Sequence, residues 1–223
     1  MKKKKNNMLR KFDPEEAISV FFDDADINPG KVIIELTDET ITAGSRVLLQ
    51  NVNLKVLGRD KICIIGENGC GKTTLIRYLW KKLKDRKDLR AGYVPQNYRE
   101  VMDHDLTVVE YLSLSERKKD REKILTMLGA MKFTGEEMNH RIEDLSEGQK
   151  CKILLTRLIV NKCNVLLLDE VTRNLSPLSN PQIRKILADF GGCIISISHD
   201  RKYIDEVADK ILVLKDKQLQ ELF

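Results

Sequence analysis

Apolar positions in this chain fall into short blocks of two kinds. β-prone stretches at Val32 to Leu36, Val47 to Val56 and Lys61 to Ile65 follow one another closely, and the last runs straight into a glycine-rich loop. Beyond the loop, Leu75, Ile76 and Leu79 take the spacing of one helix face. From about Asn97 to Asp144 β-branched runs become few and helix formers common, and Ile124, Met127, Leu128 and Met131 are spaced to line one side of a helix. This predicts a separate small helical lobe, at about residues 97–150. The pattern then alternates. A helix carrying Ile153, Leu154, Leu155, Leu158 and Ile159 is followed by a strand from Asn164 to Leu168, a helix near Pro181 to Phe190, and a strand from Cys193 to Ile197. Alternation of that kind implies parallel strands joined by crossover helices, an α/β fold with a β-rich start. Ile211 to Leu214 and Leu219 to Phe223 flank a polar turn and read as a hairpin.

The first 30 residues differ from this body. They are polar and interrupted by Pro14 and by Asn28-Pro29-Gly30, with one apolar patch from Ile18 to Phe22, and read as a basic linker or tail ending in a turn. The rest, 31–223, is the length of one ordinary domain. No apolar run approaches the roughly 18 residues of a membrane helix, and no signal-type segment follows the opening lysines. The five cysteines are scattered, odd in number and form no C-x-x-C pair, so neither a disulfide framework nor a zinc site is expected and a reducing cytoplasm fits. The net charge of +5 has a local origin. Residues 1–12 hold six Lys or Arg and no acid, leaving 33 basic against 34 acidic residues elsewhere. A basic tail can touch phosphate, but a short run of this kind is more often a solvated end.

Gly66-Glu-Asn68-Gly69-Cys-Gly71-Lys72-Thr73 matches G-x-x-x-x-G-K-[ST] between a predicted strand and a predicted helix, which is the context the motif requires. Glycines let successive backbone N–H groups turn toward phosphate, and the following helix adds its positive end. Gly66, Asn68, Gly69, Gly71, Lys72, Thr73 and Thr74 are therefore the expected nucleotide-binding residues, with Lys72 on the β and γ phosphates and Thr73 on Mg²⁺. The strand Val165-Leu-Leu-Leu ends in Asp169-Glu170, which brings two carboxylates to the carboxyl edge of a parallel sheet, where ligands of open α/β sheets bind. Asp169 suits Mg²⁺ ligation. Glu170 suits a base that orients and deprotonates water for attack on the γ phosphate.

With these residues in place the sequence, over about 31–223, resembles the ATP-binding cassette (ABC) family, because the family's other signatures occur in order. Tyr93-Val-Pro-Gln96 resembles the glutamine loop, which implies that Gln96 contacts Mg²⁺ and the attacking water. Leu145-Ser146-Glu147-Gly148-Gln149-Lys150 resembles the signature motif, which implies that Ser146 and Gly148 bind the γ phosphate held by a different cassette. Ile197-Ser198-His199-Asp200 resembles the switch-histidine loop, which implies a contact between His199 and the γ phosphate. The implied fold is a phosphate-loop NTPase cassette with a β-rich N-terminal subdomain and a small helical lobe. The implied activity is hydrolysis of Mg-ATP at a composite dimer site, completed by a second copy or by a companion N-terminal cassette.

Two departures qualify the resemblance. The family's adenine-stacking aromatic has no counterpart, since no Phe, Tyr or Trp lies between Phe22 and Tyr78 and Ala43 or Thr42 falls near its place. Stacking on a base is worth roughly 1–3 kcal/mol, so reduced affinity and base selectivity are expected. Val171 replaces the usual proline or alanine, and Asn174-Leu175-Ser176-Pro177 replaces the usual aspartate-ending loop. Together, Asp169-Glu-Val-Thr-Arg-Asn-Leu-Ser-Pro, Ser146-Glu-Gly-Gln-Lys and Ser198-His-Asp-Arg look most like the second cassette of bacterial F-subfamily proteins, which implies a ribosome or rRNA partner and a link to antibiotic resistance. The competing expectation is the nucleotide-binding subunit of a membrane transporter, docked on a membrane-domain partner.

Overall fold

A computed structural model describes residues 27–113 and 121–222 of the chain. The basic run, the Ile18 to Phe22 patch and Phe223 lie outside the described residues.

Two sheets organise the body. Strands β1 (Val32–Ala43) and β2 (Arg46–Leu57) form an antiparallel pair of their own. Ahead of it, Asn28-Pro29-Gly30 makes the expected turn, with Lys31 N–H donating to the Asn28 carbonyl at 3.0 Å. The remaining strands are β3 (Lys61–Gly66), β4 (Ala91–Val94), β5 (Val165–Asp169), β6 (Cys193–Ile197), β7 (Lys210–Lys215) and β8 (Gln218–Leu222). They form one six-stranded sheet in the order β4-β5-β6-β3-β7-β8. All neighbours are parallel except β7 and β8, the terminal hairpin.

The parallel strands read as near-continuous apolar runs, broken chiefly at their ends and by the buried Ser196, because the sheet is covered on both faces. In β5, Leu166 and Leu168 enter one core cluster while Val165 and Leu167 enter the other. The second cluster packs β1, β2 and helix α1 (Lys72–Leu83), whose buried Leu75, Ile76, Leu79 and Leu83 recur at helical spacing. On the opposite face lie α2 (Val108–Ser113), α3 (Arg121–Ala130), α4 (Glu147–Val160), α5 (Asn180–Ala188) and α6 (Arg201–Val207). Fully burying a Leu or Ile is worth roughly 1.5–3 kcal/mol, so these two layers, rather than surface ion pairs, hold the sheet flat against its helices.

The helix-forming segment differs in detail from its sequence pattern. Ile124, Met127 and Leu128 are buried on α3 as the spacing implies, but Met131 is buried one residue past its end. Two single turns of 3₁₀-helix, Glu137–Asn139 and Ile142–Asp144, carry the chain to α4. Strand β4 went unread in the sequence because it has only four residues, one of them Gly92. A Cβ at Gly92 would stand 2.3 Å from the Leu158 side chain, so the glycine lets α4 close onto the sheet edge. No helix among the described residues is long and apolar enough to cross a membrane.

Candidate functional site

Strand register assembles the site. Val94 is level with Leu168, Leu168 with Ser196, and Ser196 with Cys63. Because these strands are parallel, the chain leaves all four at one edge, and two residues beyond that row stand Gln96 and Glu170, just past the ends of the neighbouring strands β4 and β5. Their side chains meet there. Gln96 Nε2 donates to Glu170 Oε2 at 3.1 Å. One residue further along stand His199, two residues past the end of β6, and Gly66, the last residue of β3 and the first of the phosphate loop. Four segments remote in sequence thus converge because one register aligns their ends.

The loop leads into α1 through Gly71, whose φ of 113° belongs to the left-handed region that glycine tolerates. No side chain caps α1 and its first turn holds no acid, so the first N–H groups of the helix face the cavity without a side-chain acceptor. Lys72 is buried at 7% exposure and folds back on the loop, donating to the Gly66 and Glu67 carbonyls at 2.7 and 2.8 Å. A cavity of about 340 Å³ is lined by Leu48, Asn68, Gly69, Gly71, Lys72, Thr73, Thr74, Gln96, Glu170 and Arg173. A second, of about 350 Å³, shares Asn68, Glu170 and Arg173 and adds Thr172, Ser198, His199 and Asp200.

Asp169 is the buried acid of the site, 2% exposed. Burial pushes its pKa up, partly opposed by a hydrogen bond from Thr73 and with the Glu170 charge adding to the rise. Its Oδ2 has no hydrogen-bond partner. A buried carboxylate oxygen left orphaned costs about 1–3 kcal/mol, more when charged, so the position asks for a cation. A hydroxyl beside it and Gln96 across the cavity make an oxygen-donor set suited to Mg²⁺. The residues present fit that ion.

Glu170 has a φ of 55°, which for a non-glycine residue costs on the order of 1–2 kcal/mol. The turn swings the carboxylate from the strand direction toward the loop while its N–H still bonds the Ile197 carbonyl at 2.9 Å. Three groups surround it. Besides Gln96, Arg173 Nη1 lies 3.1 Å from Oε2, and His199 Nε2 lies 3.8 Å from Oε1.

Ser146 and Gly148 line neither cavity. They begin α4, where Gln149 N–H donates to Ser146 Oγ at 3.3 Å and Ser146 N–H donates to Gln149 Oε1 at 3.0 Å, a capping box. Gly148 packs so closely on the segment after Glu170 that a Cβ would sit 2.7 Å from the Asn174 carbonyl oxygen. Asn174 Nδ2 in turn donates to the buried Tyr98 hydroxyl at 3.4 Å, just past Gln96. The start of α4 is therefore tied to the two loops that carry Gln96 and Glu170, yet Ser146 and Gly148 stay outside the cavity that Lys72 lines.

Sequence reasoning passed over Leu48 and Arg173. Leu48, rather than Ala43 or Thr42, is the residue of the β1–β2 pair that lines the cavity, and its Cβ lies 3.5 Å from where a Cβ of Gly71 would be. A leucine inside an apolar strand gives no signal of its own. Arg173 was in view, three residues past Glu170, and the spacing of an ion pair across a turn was the available cue.

Comparison with known proteins follows the same lines. A family model described as ABC transporter matches residues 49–173. ABC transporter F family member 5 of Arabidopsis thaliana is 26% identical over 200 residues, covering 86% of this chain and 29% of its own. ATP-binding protein Uup of Haemophilus influenzae is 30% identical over 207 residues, covering 87% of this chain and 32% of its own. The chain thus spans less than a third of the length of either relative. Among solved structures, a dimeric ATP-binding cassette, MJ0796, in a post-hydrolysis state bound to ADP and Pi, superposes with a TM-score of 0.73 at 22% identity over 86% of this chain and 98% of that one. At that identity the likeness is one of fold.

Proposed function

Because this chain belongs to the ABC transporter family and is an ATPase domain of it, we propose that it binds Mg-ATP at the carboxyl edge of its sheet and hydrolyses it in a site completed by a second cassette. The cassette spans 31–223, with a helical lobe at about 97–150 and a basic linker before it. The observation that carries this reading is Asp169: a buried carboxylate whose Oδ2 is unpartnered, next to Thr73 at the end of the phosphate loop.

The loop amides, the open start of α1 and Lys72 bind the phosphates. Lys72 exchanges the Gly66 and Glu67 carbonyls for phosphate oxygens. Thr73, Asp169 and Gln96 would hold Mg²⁺, which when bound offsets phosphate charge and polarises the bond to be broken. Glu170, turned inward by its backbone, accepts a proton from the attacking water, and Gln96 orients the same water. His199 donates to the terminal phosphate. Ser146 and the Gly148 amide serve the phosphate held by the second cassette, a reading supported by their placement outside this chain's cavity.

The proposed role is that of an F-type cassette acting on the ribosome from the cytoplasm, supported by similarity to a relative named as an F family member and by five unbridged cysteines. Glu170→Gln tests the chemistry. The variant is expected to bind ATP, to release phosphate roughly 10²–10⁴-fold more slowly, and to sediment as a dimer with Mg-ATP. Turnover at the unmodified rate, or no ATP binding by the unmodified chain, refutes the reading. The same trapped variant is expected to co-sediment with ribosomes once its companion cassette is present. Copurification with a membrane protein instead points to a transporter.

A further inference from the structure

We propose that Arg173 is a ligand of the nucleotide's terminal phosphate, resting on Glu170 until that phosphate arrives; the inference rests on reading the site as an ATPase and adds one contact to it. Arg173 lines both cavities, bordering Lys72 and Gln96 in one and His199 in the other. Its Nη1 reaches Glu170 Oε2 at 3.1 Å, the same oxygen that accepts from Gln96. The guanidinium therefore already stands where the water-activating carboxylate and the phosphate loop meet.

Chemistry requires it to move. In the proposed reaction Glu170 Oε2 must face the attacking water, and the guanidinium of Arg173 covers that oxygen. The two partners are unequally fixed. Glu170 is 17% exposed and anchored by its backbone, whereas the Arg173 side chain is 64% exposed. An ion pair that open to water is weak. Its exchange for a phosphate, which a planar guanidinium can grip through two parallel hydrogen bonds, is favourable. The α-carbon stays in place during that exchange, because Arg173 N–H bonds the Glu170 carbonyl at 3.0 Å. Arrival of the terminal phosphate thus adds a second cation beside Lys72 and frees Glu170 in the same movement.

ADP lacks the terminal phosphate, and this sets the test. A non-hydrolysable ATP analogue and ADP are each titrated, with Mg²⁺, into the full chain, Arg173→Ala, Arg173→Lys and Lys72→Ala. Arg173→Ala is expected to weaken the analogue roughly ten- to hundredfold while ADP stays within about twofold. Arg173→Lys, which keeps the charge but not the fork, is expected to fall between. Lys72→Ala weakens both nucleotides and marks a working assay. Equal losses for both nucleotides in Arg173→Ala assign the arginine a structural part and overturn the proposal. So does an unchanged analogue affinity. An unmodified chain that binds neither nucleotide refutes the ATPase reading itself, which separates the two failures.

Discussion

Helices α1 and α4 both begin where phosphate is expected, and they begin in opposite ways. At α1 the cap is Gly71, no side chain bonds the first N–H groups, and the first turn is free of acid. At α4 the cap is Ser146, closed by a capping box with Gln149, and Glu147 sits in the first turn. Gln149 is itself held, its Nε2 donating to Glu137 Oε1 at 2.8 Å. Around α1 stand the buried Lys72 and Asp169, whereas Ser146 is exposed. An open helix end next to buried charges is unfavourable without a ligand. A capped end on the surface is content alone. In the proposed function this contrast suits the first half to holding phosphate by itself, and the second only to meeting phosphate that another cassette presents.

Breaking the first half should have the larger effect. Lys72→Ala is expected to weaken ATP binding by at least about a hundredfold, seen by titration of the isolated chain. Ser146→Asp attacks the other half without unfolding it, since aspartate caps helices as well as serine does. It sets a carboxylate against the presented phosphate. Monomeric ATP binding should be unchanged while hydrolysis falls roughly ten- to hundredfold. The two variants also complement. In a self-paired dimer the mixed species has one site with both defects and one with neither, so an equal mixture should recover about a quarter of unmodified activity. A mixture no more active than its components would show that Ser146 acts within its own chain.

The two halves were also unequally legible in the sequence. The phosphate loop is contiguous, and its glycines, lysine and threonine are dictated by local geometry, so eight residues sufficed to find it. The convergence of Gln96, Glu170 and His199 depends on strand register, which no local pattern encodes; the acidic end of one apolar strand pointed to Glu170, family resemblance supplied Gln96 and His199, and the parallel sheet explains why they meet. The layered α/β architecture followed from alternating runs, but the four-residue β4 lay below the length at which periodicity speaks. Arg173 and Leu48 were missed for a related reason. Each takes its place from what the fold brings beside it: Leu48 has no pattern of its own, and Arg173 has only its i,i+3 spacing from Glu170.

Leu48 sharpens the comparison at the nucleoside end of the first half. In the proposed binding mode the terminal phosphate points toward Glu170 and the base leaves past Thr74 and Leu48, where the described lining contains no aromatic ring. An aliphatic surface does not discriminate between purines by stacking. ATP and GTP are therefore expected to bind within about threefold of each other, while Leu48→Tyr should tighten ATP about tenfold, the lower part of the range for aromatic stacking on a base. Calorimetric titration reads both. A large preference for ATP in the unmodified chain would mean that the base is recognised elsewhere.

The smallest expected effect falls on Asp169, where the open half has its standing cost. Burial raises the pKa of this acid in the folded state, so between the unfolded and folded values the native protein binds the extra proton. Stability then falls as pH rises through that interval, and at neutral pH the charged, half-satisfied carboxylate weighs against folding. Asp169→Asn removes the charge and keeps the shape. Without nucleotide or metal at pH 7 the variant should melt about 2 °C higher than the unmodified chain, a gain that shrinks as pH falls through the carboxylate range. Mg-ATP should reverse the order, stabilising the unmodified chain by mass action and leaving the variant nearly unmoved. A variant less stable at pH 7 without ligand would mean that Asp169 serves the fold before it serves the metal, and that the first half of the site is not held open at a cost.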